Sequence, residues 1–311
     1  MPVCLFLAAG CVKELVPEKD GYEPKVAVWA ILDPAGNMVV LTAGNRGIQE
    51  EDRVNYSDAE FMIFEDSVWK ETLSAQIIGT DSLSHTFHFK PQRDRLYQLQ
   101  IRASGLQINA SVKMIPPLVK PDTILLSKGE NARLSITLMD ESQYRDAYQF
   151  NVLICQHGVL TDTSSNAVLD PDFTLVKKYA KYDEPSLVYN LRLFNNALES
   201  DYTFPVIDDL FNGKKRSFLF AVENPVSDVL FIPRADDPGT ADKLTCNRRY
   251  VLVKSRKICP EYYNFLVSEN ANGSIFGTPY FNPTNVYSNV EGGLGLIAAK
   301  SDRTDTVWVK K

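Results

Sequence analysis

The thiol of Cys11 is the side chain whose neighbours define a specific chemistry. Cys11 follows the small residues 8–10, two alanines and a glycine, and the apolar run 3–7. This pattern is typical of a bacterial lipobox, in which a signal peptidase cuts after small side chains and lipid is attached to the exposed cysteine. We therefore expect a lipoprotein signal over residues 1–11 and lipidation of Cys11. The alternative is that this run forms the first buried strand of a domain.

The segment after Cys11 predicts a tether rather than folded structure. Residues 12–24 are charged, contain proline and lack an apolar period. Anchored through Cys11, the folded part would lie at the outer membrane, on its periplasmic or its cell-surface face. No Lys or Arg precedes Cys11, which indicates either a start codon further upstream or a truncated copy.

Two of the later cysteines are spaced for a disulfide. Cys4 would leave with the signal, so Cys155, Cys246 and Cys259 remain in the mature chain. Cys246 and Cys259 flank residues 247–258, and in an oxidising compartment they could pair across a hairpin. The alternative is a pair of buried thiols, which behave as small apolar side chains.

The histidines do not predict a metal or nucleophilic site. His85 and His88 would project to opposite faces of a strand, because their offset of three is odd. Cys155 and His157 form a nucleophile–base pair only if a third group orients the histidine. We therefore predict no metal site, no cofactor and no catalytic residue.

Acidic pairs and a glycine run have structural interpretations. The carboxylates at 208–209 and 236–237 precede turn residues, where acidic side chains cap backbone groups. The glycines of 291–296 lack the Lys-Ser/Thr pair of a phosphate-binding loop and continue into an apolar run. They predict a bulged turn between strands.

The elements that carry these residues read as short strands separated by turn residues, which is typical of a β-sandwich. Two short helices are predicted, one around 140–145 and one that begins at Pro260, where proline suits the first helical position. The predicted strands are 25–32, 38–42, 59–64, 86–89, 97–103, 132–138, 147–155, 187–194, 217–222 and 249–254.

A proline-rich stretch suggests two domains. Three prolines in 115–122 cannot donate ladder hydrogen bonds, so this stretch predicts a boundary. We expect an N-terminal immunoglobulin-like β-sandwich over 25–115 and a larger, mainly β C-terminal domain over 116–311 with one or two short helices.

Composition narrows the classes of function. The chain of 311 residues is 44% hydrophobic, which is enough for a sizeable core. Its net charge is −6 and its basic residues are scattered, so nucleic acid is not an expected partner. After Cys11, no apolar run is long enough to span a bilayer as a helix.

Aromatic residues near the C-terminus give one candidate contact surface. Aromatics make up 11% of the chain, and exposed groups of them bind glycans, peptides or proteins. The preferred surface is the segment 280–289, where the predicted ligand or partner contacts are Tyr280, Phe281, Tyr287 and Asn289.

The same region carries the most distinctive motifs. Residues 259–265 and 282–298 resemble the C-terminal signature of the Bacteroidota lipoprotein family called domain of unknown function 4249, which includes a Tyr-Tyr helix and a Ser-Asn-x-x-Gly-Gly-x-Gly turn. Residues 22–26, 57–59 and 207–214 also resemble that family. The resemblance implies a lipid-anchored envelope protein, often encoded beside a TonB-dependent receptor, with no established catalytic residues.

These observations predict a binding role rather than an enzyme. We expect an outer-membrane-anchored lipoprotein that is an accessory or ligand-capturing partner of a TonB-dependent transporter, held close to the receptor by its tether. The alternative is a structural or adhesive surface protein. A surface hydrolase is disfavoured because the sequence shows no set of nucleophile, base and orienting group.

Overall fold

The computed structural model describes residues 26–36, 38–44, 59–74, 82–103, 105–128, 131–178, 180–182, 205–223, 229–235, 237, 240–273 and 286–309. The predicted signal, tether and Cys11 lie outside these residues. Within them the chain forms 18 strands, one α-helix and a short 3-10 turn at Asp208–Leu210. The mainly β class is therefore confirmed.

The elements have the following bounds in chain order. They are β1 (Val26–Leu32), β2 (Val39–Gly44), β3 (Glu60–Glu65), β4 (Val68–Ser74), β5 (Ser82–Thr86), β6 (Leu96–Ala103), β7 (Leu106–Lys113), β8 (Asp122–Lys128), β9 (Asn131–Met139), β10 (Ala147–Asp162), β11 (Val168–Lys178), β12 (Ala180–Tyr182), β13 (Val206–Ile207), β14 (Lys215–Glu223), β15 (Val229–Pro233), β16 (Ala241–Ile258), α1 (Pro260–Gly273), β17 (Val290–Glu291) and β18 (Leu294–Trp308).

The first core lies between two sheets. One contains β1, β2 and β5, and the other has five strands in the order β17-β7-β6-β3-β4. Strands β1 and β6 alternate buried and less buried residues along their length, as expected when only one face of each sheet meets the core. Phe61, Tyr97 and Leu99 contribute from the five-stranded sheet, while Val28 and Ala30 contribute from β1.

The second core lies between the long strands β10 and β16 and a four-stranded sheet ordered β12-β14-β9-β8. Its centre is aromatic. The ring of Phe150 on β10 lies 4.8 Å from that of Phe218 on β14, measured between centroids, and Phe220 packs edge-on at 5.7 Å. Val251 and Val253 of β16 complete this core.

Strand β18 belongs to both cores. Its first part, from Leu294 to Ala299, runs parallel to β1, and its second part, from Lys300 to Trp308, is antiparallel to β16. Strands from both sides of residue 115 therefore join one nine-stranded sheet. The boundary at 115 stays a prediction, but α1 and the first part of β18 pack in the first core although their sequence lies far beyond that boundary.

The local elements were predicted with mixed success. Helix α1 begins at Pro260, as predicted, and the glycine run forms the predicted turn between strands β17 and β18. Residues 141–145 form turns rather than the predicted helix. No helix in the described part of the chain combines the length and the apolar character required to cross a membrane.

Candidate functional site

The glycine turn places the C-terminal strand against the backbone of β1. Gly295 has a φ of +111°, and a Cβ there would lie 2.0 Å from the carbonyl oxygen of Val28. A Cβ at Gly293 would lie 2.7 Å from the carbonyl oxygen of Val26. Because no side chain fits at either distance, glycine is required for this close parallel pairing.

Two polar side chains before the turn fix its shape. The Asn289 amide donates to the carbonyl oxygen of Ile297 at 2.8 Å, and the Ile297 N–H donates to Asn289 Oδ1 at 2.9 Å. Ser288 Oγ accepts a hydrogen bond from the Gly295 N–H at 3.0 Å. The Ser-Asn and glycine positions of the family-like motif thus have a structural role, and they hold β17 beside β7.

A polar cleft of about 280 Å³ opens where β17 meets β6 and β7. It lies on the outer face of the five-stranded sheet, opposite the core. This volume is just below the ~300–1,000 Å³ range of typical small-molecule sites. The lining residues are Gln98, Leu99, Gln100, Asn109, Ala110, Ser111, Asn289 and Glu291.

The strand register aligns the cleft with an apolar surface. Gln100 is opposite Met62 on one side and Asn109 on the other, and Gln98 is likewise opposite Phe64. Residues paired in this way project to the same face of a sheet. Phe64 is in turn opposite Trp69, so apolar side chains continue the row of amides toward β4.

Trp69 is the exposed end of this surface. It is 59% exposed, and its indole N–H donates to Thr72 Oγ1 at 2.9 Å, which fixes the orientation of the ring. The β3–β4 turn next to it has positive φ at both Asp66 and Ser67, the conformation of a two-residue hairpin turn. We call the outer surface formed by Met62, Phe64, Trp69, Gln98, Gln100, Asn109, Ser111 and Glu291 the amide–aromatic face.

Three amides of this face have hydrogen-bonding capacity to spare. Gln98, Gln100 and Asn109 are half-buried, and no hydrogen bond joins their side chains to another residue in the described ranges. Each amide offers two donors and an acceptor. The cleft is therefore equipped to bind a polar molecule through side chains.

The predicted contact residues have different positions. Asn289 lines the cleft, but both polar atoms of its amide bond the Ile297 backbone. Tyr287 is half-buried against the first core, with its N–H donating to Ser268 of α1, and burial raises the pKa of its phenol. Tyr280 and Phe281 lie outside the described residues. Ligand contact by these four residues stays a prediction.

A second group of polar residues is buried between the cores. Asp140, Asp146 and Asp208 bring carboxylate oxygens within 4.8 Å of one another. The Lys257 ammonium lies 2.7 Å from Asp146 Oδ2, with side-chain exposures of 3% and 0%. We call these four residues the buried charge cluster. Oxygen ligands at this spacing suit a hard cation, but the lysine already places a positive charge among them.

Other hydrogen bonds satisfy part of the buried charge cluster. Tyr148 donates its hydroxyl to Asp140 Oδ1 at 2.5 Å, and the Asp146 N–H donates to Asp208 Oδ2 at 2.9 Å. Burial raises the pKa of Asp146 to about 6 against the lowering effect of Lys257, and burial also raises the pKa of Asp208. The sequence interpretation of Asp208 as a turn cap missed this cluster, because its members come from distant parts of the chain.

The Cys155 and His157 pair lacks a reactive arrangement. An orienting carboxylate is present, since Asp172 lies 3.1 Å from His157 Nε2, but Thr174 engages Nδ1 at 3.0 Å. Both ring nitrogens are thus occupied by groups other than the thiol. Burial raises the pKa of Cys155, and its hydrogen-bonding neighbour is Tyr250. A thiolate activated by His157 is not supported by this geometry.

The other metal and disulfide candidates are separated in space. His85 is buried against the ring of Phe61, whereas His88 is exposed beyond the end of β5 and bonds Glu71.

The predicted disulfide is wrong. Cys246 lies within β16 and Cys259 directly follows it, so residues 247–258 form extended strand rather than a hairpin, and the two sulfurs are not bonded. Twelve residues of strand lie between them, which places the two cysteines about 40 Å apart.

The comparison with known families covers nearly the whole chain. No curated protein matches the chain. A family model described as "Domain of unknown function (DUF4249)" matches residues 12–306, a range that includes the amide–aromatic face, the buried charge cluster and the glycine turn. The resemblance found in the sequence motifs is thereby confirmed. The chain belongs to the DUF4249 family.

Proposed function

We propose that this protein is a lipid-anchored binding protein of the outer membrane that captures a ligand on its amide–aromatic face and delivers it to a TonB-dependent receptor. Acylated Cys11 is the anchor, and residues 12–24 are the tether. The protein binds its ligand without chemical turnover.

The observation that carries this proposal is the set of amides in the cleft. Gln98, Gln100 and Asn109 present donors and acceptors that the described fold does not use, next to the exposed ring of Trp69. A sheet face that served only for solubility would more typically carry charged side chains. Amides combined with an exposed aromatic ring are suited to specific contacts.

The tether supports delivery to a neighbouring receptor. Fully extended, residues 12–24 would span about 45 Å. A module confined within this distance of a membrane partner has a high effective concentration there. A weak interface with the receptor is then sufficient for transfer of the ligand.

The test is purification of the native protein from membranes in mild detergent. We expect an acylated N-terminus at Cys11 by mass spectrometry and co-purification of an outer-membrane barrel protein. A Cys11→Ala variant should lose both membrane retention and the barrel partner. Native material with an unprocessed, lipid-free N-terminus, or without a barrel partner, would contradict the proposal.

A further inference from the structure

We infer that the ligand of the amide–aromatic face is a neutral glycan. This inference rests on the proposed function, since it names the chemical class of the captured ligand.

The amides of the cleft match the hydroxyl groups of a sugar. A hydroxyl both donates and accepts, and so does each side chain of Gln98, Gln100 and Asn109. Gln100 and Asn109 lie opposite each other across β6 and β7, so two amides are presented as neighbours on one face. Their half-buried position limits competition from water while leaving them accessible.

The apolar part of the face matches the other half of a sugar's chemistry. A pyranose ring has C–H groups that pack on an apolar surface, while its hydroxyls point outward around its rim. Met62, Phe64 and Trp69 continue the same two rows as the amides. From Trp69 to Ser111 the row crosses three strand spacings, or about 14 Å, which accommodates more than one sugar ring.

The charge of the cleft argues against anionic ligands. Glu291 is the charged side chain among the lining residues, and it would repel phosphate, sulfate or uronate groups.

Recognition of an extended peptide through its main chain is also disfavoured here. The cleft lies on the sheet face where β6 is paired on both sides and where β17 covers the edge of β7 at Asn109 and Ala110, whereas strand addition requires a free sheet edge.

The test measures binding of the full-length protein in mild detergent to defined polymers. The neutral probes are dextran, xylan and mannan, and the comparison probes are polygalacturonate, heparin and a casein digest. Affinity gel electrophoresis and intrinsic tryptophan fluorescence report the binding. We expect at least one neutral polymer to retard the protein, with no retardation by the anionic polymers.

Matched variants locate the site. Trp69→Ala and Gln100→Ala should each weaken binding of the neutral polymer by about tenfold or more, as expected when a stacking ring or a desolvated polar group is lost. Trp308→Ala is the control, because Trp308 is 58% exposed but lies at the end of β18, beside β16 rather than in the five-stranded sheet. It should change binding less than about twofold, within the range of neutral contacts.

Three results would overturn the glycan assignment: no neutral polymer binds, a neutral polymer binds equally well to the Trp69→Ala and Gln100→Ala variants, or an anionic polymer or peptide binds through this face instead. Each is distinguishable from failure of the proposed function. If the barrel partner still co-purifies, only the ligand class is wrong, whereas loss of the partner from native membranes contradicts the delivery role itself.

Discussion

Replacing Lys257 by methionine tests how the buried charge cluster is stabilised. Methionine has a similar length but no charge, so the substitution removes the ammonium and keeps most of the packing. The side chains of Lys257 and Asp146 are 3% and 0% exposed, which means that water cannot replace the lost cation. Asp140 and Asp208 add further negative charge around Asp146.

The expected cost follows from this burial. Breaking a buried ion pair by removing one partner costs about 3–5 kcal/mol, because an uncompensated charge remains. At pH 7.5 we expect the free energy of unfolding of Lys257→Met to fall by about 2 kcal/mol, because the pKa of Asp146 is about 6 and protonation of its carboxyl limits the loss at that pH. At pH 5 the loss should be smaller, because the pKa of Asp146 is about 6 and a protonated carboxyl needs no cation.

Urea unfolding of four proteins measures the effect: the unmodified chain, Lys257→Met, Asp146→Asn and the double variant. The double variant should be more stable than the sum of the single losses predicts, with an interaction energy of about 1–3 kcal/mol. Lys300→Met is the control. Its partner Asp302 is 30% exposed, so the loss should be below about 1 kcal/mol.

One result would refute this reasoning. If Lys257→Met unfolds within about 1 kcal/mol of the unmodified protein at pH 7.5, the ammonium does not compensate Asp146. An interaction energy of zero in the four-protein cycle would lead to the same conclusion, even if each single variant is destabilised.

Further expectations concern the turn, the pH response and the thiols. Gly295→Ala should lower the free energy of unfolding in urea by at least about 3 kcal/mol, because the added Cβ would overlap the β1 backbone at a positive φ. Gly36→Ala is the control: the space around its Cβ is open, so the free energy of unfolding should change by less than about 0.5 kcal/mol. Burial raises the folded-state pKa of Asp146 to about 6, so the stability it contributes is present below its ordinary value of 3.8 and is lost as pH rises through 6. Between pH 3.5 and 7.5 the free energy of unfolding of the unmodified chain should therefore fall by about 3 kcal/mol more than that of Asp146→Asn in the same assay. If the free energies of the two proteins change in parallel with pH, this prediction is contradicted. Cys246 and Cys259 should stay unreactive to a thiol reagent until the chain is denatured, and a reductant should not change the unfolding midpoint; a midpoint that falls on reduction would indicate a disulfide.

Features with local causes could be predicted from the sequence. The start of α1 follows from Pro260, and the turn after β17 follows from its glycines. The predicted helix at 140–145 was wrong because Asp140 instead bonds Tyr148 and the backbone of Gly213. Side-chain contacts of this kind override a weak helical preference.

Features that depend on register could not be predicted. Gln100 and Asn109 form one surface only because β6 and β7 pair in a particular register, and Met62 joins them from a strand far earlier in the chain. No spacing in the sequence indicates that register. The same holds for the buried charge cluster, whose Asp146 and Lys257 are brought together by the pairing of β10 with β16.

The parallel pairing of β1 with β18 has a consequence for biogenesis. Strand β1 pairs with β2, which follows it directly in the chain, but its other neighbour, residues 294–299 of β18, is synthesised far later. The first core therefore cannot be completed before residues 294–299 have been synthesised. One edge of β1 therefore stays without its partner strand until β18 emerges, and residues far apart in the chain must meet before the first core closes.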